Sequence, residues 1–302
     1  MFAAIPYFEL GVYNLPVPGV GSLPIDPWAT LVCIGFVVGL EVARYRAIKL
    51  GLQVRDIVDG AVFIVLSGFF VAHLFTVVFY FPERMLDAEG AFSLYTAFDA
   101  IILRVWQGFA STGGFVGAIL GAIVFYGLIR KAGAWRHADI ICYGFPFGWF
   151  FGRLGCGVVH DHIGSPTTFP LAMDFDHGIG PWAAGDPFVS GIRHELGLYE
   201  MAYMVPVCLL FLWLGRQDRT PGFFLGMFAV TYAPIRFVLD FLRNADLSHQ
   251  DARYGGLTPA QYGMIAMFVA GGILLMSLRR RAFEPVPLGG PVAQPAEAEA
   301  EA

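Results

Sequence analysis

The chain has 302 residues, 57% of them hydrophobic and 14% charged, with a formal net charge of −5. A soluble domain carries about 25% charged residues, so this composition, with its repeated apolar runs, indicates a polytopic helical membrane protein, and the acidic balance excludes a nucleic-acid partner. Cys33, Cys142, Cys156 and Cys208 mostly lie in apolar runs and form neither a disulfide framework nor a CxxC metal pattern.

The first 27 residues lack a basic leader region, so no cleavable signal peptide is expected. They read as a Pro/Gly-rich amphipathic segment on the membrane surface. Seven spans follow, over residues 28–43, 62–80, 113–129, 140–159, 199–214, 222–242 and 261–278. The expected fold is all-α, one seven-helix transmembrane domain over residues 28–282. Several spans are short or interrupted by Gly and Pro, which suggests helices broken around a lipid-accessible cavity. The Ala/Glu-rich tail, residues 283–302, is expected to be disordered.

Basic residues set the orientation. Arg44, Arg46, Lys49 and Arg55 follow the first span, Arg130, Lys131 and Arg136 the third, Arg216 and Arg219 the fifth, and Arg279, Arg280 and Arg281 the seventh. These twelve of the 19 lie on one side, which the positive-inside rule assigns to the cytoplasm. The amino terminus is then outside. The fourth and sixth spans both run outward, which puts Arg153 and Arg236 at about the same depth, roughly 9 Å below the outer boundary at 1.5 Å per residue. Trp28, His73, Gly113, Tyr199 and Glu200 also fall near the outer ends of their spans.

An arginine in the middle of hydrocarbon costs several kcal/mol, about 2.5–3.5 on insertion scales, and normally meets an anion there. Arg236 shares its helix with Tyr232, Asp240 and Arg243 at spacings that place all four on one face. The bland alternative is an interfacial ion-pair ladder, which suits Arg243 better than Arg236. The fourth span ends in Gly152-Arg153-Leu154-Gly155-Cys156-Gly157, then His160-Asp161-His162-Ile163-Gly164. Glycines allow close backbone approach, and an arginine among them can present its fork to a phosphate. Trp106-Gln107-Gly108 and Gly113-Gly114 lead into the third span, where small-residue helix packing is the simpler reading. His194, Tyr199 and Glu200 open the fifth span. His160, Asp161, His162 and His194, with Asp174, Asp176 and His177, make a weak metal set, and no metal is expected. Cys156 reads as a small packing residue rather than a nucleophile.

On these motifs the chain resembles the prolipoprotein diacylglyceryl transferase family, bacterial membrane enzymes that lipidate lipoprotein precursors. Gly152, Arg153, Gly155 and Gly164 match one family signature, and Tyr232, Arg236, Asp240 and Arg243 the sixth-span pattern. His194, Leu198, Tyr199 and Glu200 match part of a third motif, and Gly113 and Gly114 the third-span glycine pair. The departures are Cys156 for asparagine, Asp161 for glutamate, Glu195 and Gly197 for proline and glutamine, Trp28 for tyrosine, His73 for arginine and Thr112 for histidine.

The resemblance implies transfer of a diacylglyceryl group from phosphatidylglycerol to the lipobox cysteine of a prolipoprotein, releasing glycerol 1-phosphate. The implied location is the bacterial inner membrane, and no cofactor is implied. Arg153 and Arg236 are expected to hold the phosphate with Arg243 assisting, and Asp161 and Asp240 to orient the arginines. Gly152, Gly155, Gly113, Gly114, Tyr199, Glu200 and Tyr232 are expected to line the substrates. With threonine at position 112, the proton acceptor is His160, His162, His194 or the phosphate itself. The alternative is a divergent paralogue that binds phospholipid without this activity or uses another acceptor.

Overall fold

The computed structural model describes residues 4–8, 10–19, 21–87, 89–104, 108–109, 111–131, 133–175, 189–247 and 253–280. Trp106, Gln107, Asp176, His177, Arg281 and the tail over residues 283–302 lie outside the described residues. The chain divides into two compact units, residues 52–138 and residues 1–51 with 139–302.

In the smaller unit, α2 (Val54–Phe75) runs on through a wider turn at Thr76–Tyr80, α3 (Leu94–Phe98) is short, and α4 (Ser111–Ala122) continues in wide turns to Ile129. Helices α2 and α4 pack along glycines. A Cβ on Gly113 would fall 2.7 Å from Phe75 Cβ, and one on Gly117 would fall 2.5 Å from the Ser67 carbonyl. Only glycine permits that approach, as in small-residue seams of membrane helices. His73 sets its two ring nitrogens against the carbonyls of Gly108 and Ala100.

The larger unit holds α1 (Pro27–Lys49), most of α5 (Ala134–Val159), α6 (Leu196–Leu214), α7 (Phe223–Leu239) and α8 (Pro259–Arg279). Asp26 caps α1 by accepting from Ala29 N at 2.8 Å, with Pro27 at the first helical position. Glycines again bring α1 onto α5, where a Cβ on Gly35 would fall 2.5 Å from the Gly148 carbonyl and one on Gly144 would fall 2.2 Å from that of Gly39. Tyr143, Met204, Phe211, Phe224, Phe228 and Tyr232 pack as the core between α5, α6 and α7. Arg46 reaches back to donate to the Gly215 carbonyl past the end of α6, lying over the rings of Tyr143 and Phe224.

Four described helical stretches, Val54–Phe79, Leu196–Leu214, Phe223–Leu242 and Pro259–Arg279, are long and apolar enough to cross a membrane. Helices α1 and α5 are 23 and 26 residues long but are not among these four, and Gly113–Ile129 is shorter. The helices expected to be broken are continuous: α5 passes through Pro146, α6 through Pro206 and α7 through Pro234. Helix α7 then tightens into one narrow turn, Asp240–Leu242.

The expectation of an all-α chain is corrected by two small sheets. Strands β2 (Tyr13–Val17) and β3 (Gly21–Ile25) form a hairpin in the segment read as a surface amphipath. Strands β1 (Ile5–Pro6), β5 (Met173–Asp174), β6 (Ile192–Glu195) and β4 (Ile163–Pro166) make a sheet in that order. The strands of this second sheet were not legible because each is two to four residues long and partners a distant segment. The sheet positions the site. His160, in the left-handed region with φ 53°, turns the chain out of α5 and into β4, and β6 leads directly into α6. Gly164 on β4 bridges to Arg243, just past α7, and Asn244 Nδ2 donates to the Ile163 carbonyl.

Candidate active site

Three helix ends carry the site. Arg153 lies six residues before the end of α5, Glu200 in the second turn of α6, and Tyr232 and Arg236 on the last turns of α7. Helices α5 and α6 touch backbone to backbone, since a Cβ on Gly197 would fall 2.7 Å from Gly157 N. That contact brings Arg153 Nε to 2.6 Å from Glu200 Oε2. Arg236 Nε lies 3.3 Å from the other oxygen, Oε1, to which the Tyr232 hydroxyl also donates at 3.0 Å. Arg153 Nη2 in turn donates to that hydroxyl at 3.4 Å, and its guanidinium lies over the Trp149 ring. All of these side chains are largely withdrawn from solvent.

A second carboxylate extends the network. Asp240 Oδ1 accepts from Arg236 Nη1 at 2.8 Å and lies 3.1 Å from Arg243 Nε, and its Oδ2 accepts from the Thr258 hydroxyl. Thr258 also caps α8 in a capping box with Gln261, whose amide nitrogen it accepts from at 3.2 Å. Among the described residues, the three guanidinium groups of Arg153, Arg236 and Arg243 thus meet at the two carboxylates Glu200 and Asp240. A buried ion pair costs solvation that its own attraction barely returns, so three guanidinium groups gathered at two carboxylates favour an anionic ligand.

Beyond Arg153 the arrangement departs from expectation. Asp161 does not reach a guanidinium; it bonds His162 Nδ1, while His162 Nε2 lies 3.3 Å from Arg153 Nη1. The carboxylate that orients Arg153 is Glu200, expected only to line a substrate. Burial opposes charge on His162, and Asp161 more than offsets it, lifting the imidazole to about 9. Burial also raises Asp161, but His162 and Arg153 outweigh it and hold that carboxyl below its usual range. Cys156 Sγ, Asp161 and His162 place their donor atoms within 4.8 Å of one another. A guanidinium directly beside them opposes a metal cation, and the cluster reads as a hydrogen-bonded network.

His194 Nδ1 pairs with the Tyr199 hydroxyl at 3.1 Å, and burial lowers its basicity. His160 is held on both sides, by the Phe8 carbonyl at 2.6 Å and Glu195 at 3.3 Å. Gly155 closes on α1, where its Cβ would fall 3.3 Å from Trp28, whereas Gly152 faces open space. Gly164 lies under the Leu242 carbonyl and His194, too close for any side chain. Gly113 and Gly114 belong to the other unit, and Gly113 serves its α2–α4 seam. Sequence reasoning missed the role of Thr258, although Thr258-Pro259-Ala260-Gln261 is a readable capping box with proline at the first helical position.

The sequence profile of the prolipoprotein diacylglyceryl transferase family matches residues 17–277. A phosphatidylglycerol–prolipoprotein diacylglyceryl transferase of Nitratidesulfovibrio vulgaris is 29% identical over 272 residues, covering 88% of this chain and 94% of that protein. One of the same name from Solidesulfovibrio magneticus is 31% identical over 87% of this chain and 92% of its own length, and one from Chromohalobacter salexigens 29% over 86% and 91%. With the match running from the β2–β3 hairpin through nearly all of α8, the chain belongs to the prolipoprotein diacylglyceryl transferase family.

Proposed function

We propose that this protein transfers the diacylglyceryl group of phosphatidylglycerol to a cysteine thiol of a prolipoprotein. The observation that carries the reading is the single Glu200 carboxylate held between Arg153 and Arg236, with Asp240 and Arg243 completing a site of net positive charge. Phosphatidylglycerol carries a negative charge on its phosphodiester, which suits a cluster of three guanidinium groups. The relatives' names supply the substrates.

In the reaction the acceptor sulfur loses its proton and attacks the glyceryl carbon that bears the phosphate. A C–S bond forms, the C–O bond to phosphate breaks, and glycerol 1-phosphate leaves with the bonding pair. The departing phosphate gains charge as the bond breaks. Arginines already fixed by Glu200 and Asp240 meet that charge without reorganising, and fixed donors of this kind contribute about 2.7–4 kcal/mol each to a transition state. Arg153 and Arg236 take the phosphate, Arg243 assists, and Tyr232 holds the pair of guanidinium groups in register. Gly152, beside open space, lies where the lipid would pass.

The reading places seven spans across the bacterial inner membrane as one transferase domain over residues 28–282, with the amino terminus outside. The basic residues after alternate spans support this, as does the depth at which both arginines enter. The acceptor cysteine, at the lipobox of a signal peptide, emerges on that outer side. Purified protein incubated with phosphatidylglycerol and a lipobox peptide tests the whole reading. Wild type yields the thioether peptide and Arg153→Ala yields none. Phospholipid retained without any product from wild type refutes it.

A further inference from the structure

The transfer needs a group to accept the thiol proton, because an unperturbed thiol, with pKa about 8.5, is only a few per cent ionised near neutrality. Among the described histidines four are committed elsewhere. His73 faces two carbonyls, and His137 pairs with the Gly133 carbonyl while stacking on Tyr126. His160 is fixed by the Phe8 carbonyl and Glu195, and His194, bonded to Tyr199, is made less basic by burial. The fifth, His162, stands against the guanidinium that Glu200 fixes.

We propose, on the transferase reading above, that His162 is the general base for the acceptor thiol and that Asp161 is its positioning residue. The hydrogen bonds determine the tautomer. In the neutral ring, which forms as pH rises toward the raised imidazole value of about 9, Asp161 takes the Nδ1 proton and Arg153 Nη1 donates toward Nε2, so Nε2 carries the lone pair. A carboxylate on Nδ1 holds an imidazole in orientation and stabilises the cation formed when Nε2 gains a proton, which is the chemistry of an Asp–His dyad. When a phosphodiester takes Nη1 of Arg153, Nε2 is released beside it. A phosphate oxygen at hydrogen-bond distance from Nη1 then lies at most roughly 6 Å from Nε2, room for a sulfur and the carbon it attacks. The S–H proton passes to Nε2, the sulfur pair forms the C–S bond, and the phosphate leaves as before. The groups facing His162 are Cys156 and Arg153 from α5, its neighbour Asp161, and Glu195 of β6.

The test compares two lipobox peptides, one with cysteine and one with selenocysteine, kept reduced, on full-length protein with phosphatidylglycerol. A selenol is already ionised at neutral pH and needs no base. His162→Gln is expected to lower turnover of the thiol peptide by about 10²–10⁴-fold, with KM for phosphatidylglycerol unchanged and the selenol peptide converted within threefold of wild type. Asp161→Asn gives a smaller loss of the same pattern, and imidazole in the medium restores thiol turnover to His162→Ala. Equal losses on both peptides, or thiol turnover by His162→Gln within threefold of wild type, overturn the assignment. Wild type inert toward both peptides overturns the transferase reading and this one with it.

Discussion

Arg153 and Arg236, on different helices and 83 positions apart in the chain, hold opposite oxygens of one carboxylate, Glu200. Each guanidinium is thereby placed by the other's partner. The arginine cluster is consequently a property of the α5–α6–α7 junction, and its response to substitution follows from which group loses its partner.

Glu200→Ala leaves two buried guanidinium groups without their shared anion. Removing one partner of a buried pair costs about 3–5 kcal/mol, so thermal unfolding of the purified protein should fall by several degrees and transfer should be lost. Glu200→Gln keeps the shape and is expected to retain more stability than activity. Equal stability of Glu200→Ala and wild type in a thermal melt would contradict the shared-anion geometry.

Arg236→Lys preserves charge but cannot reach Glu200 and Asp240 together as a planar fork does. Transfer should drop by at least tenfold while phospholipid retention survives. The check is product formation measured beside bound phosphatidylglycerol in the same preparation.

Gly197→Ala forces a Cβ onto the backbone of Gly157 and Cys156, which has no side chain to move aside. Parting of α5 from α6 separates Arg153 from Glu200, so both the melting temperature and turnover should decline. Gly152→Ala, with nothing within 4 Å, should melt as wild type does. Any effect there should be confined to KM for the lipid.

Thr258→Val removes a helix cap, worth about 1 kcal/mol, and also the hydroxyl on Asp240. Loss of that contact should loosen Arg236 and Arg243. Serine at 258 should restore both stability and turnover, which a cap-only role would not require of turnover.

Arg193 grips Asp246 through both terminal guanidinium nitrogens and holds that carboxyl below its usual range. A carboxyl depressed in the fold contributes stability above its unfolded pKa, about 3.9, and the contribution is lost as pH falls through the lower folded value. Amide exchange along β6 should accelerate below about pH 4 in wild type. Asp246→Asn should show the faster exchange at neutral pH and lose the pH step.

The stripe of Tyr232, Arg236, Asp240 and Arg243 was legible because one helix period fixes which residues share a face. The pairing of Arg153 with Glu200 was not, since it depends on how closely two helices cross, and that depends on Gly157 and Gly197 acting together. Asp161 was taken for an arginine's partner by its position in a motif, but its nearest base is the adjacent residue, His162. The hairpin of β2 and β3 was hidden by Pro16 and Pro24, which are unusual inside strands. The helix positions themselves followed from apolar runs, with ends shifted by a turn or less except at the first, second and fourth spans, where the helices extend past the apolar stretch into charged sequence.

The bridge from Gly164 to Arg243 stitches β4 to the exit of α7. A pull on β4 or β6 would therefore shift the arginine cradle too, so that under the proposed transfer a peptide engaging those strands would be felt mechanically at the phosphate-binding end.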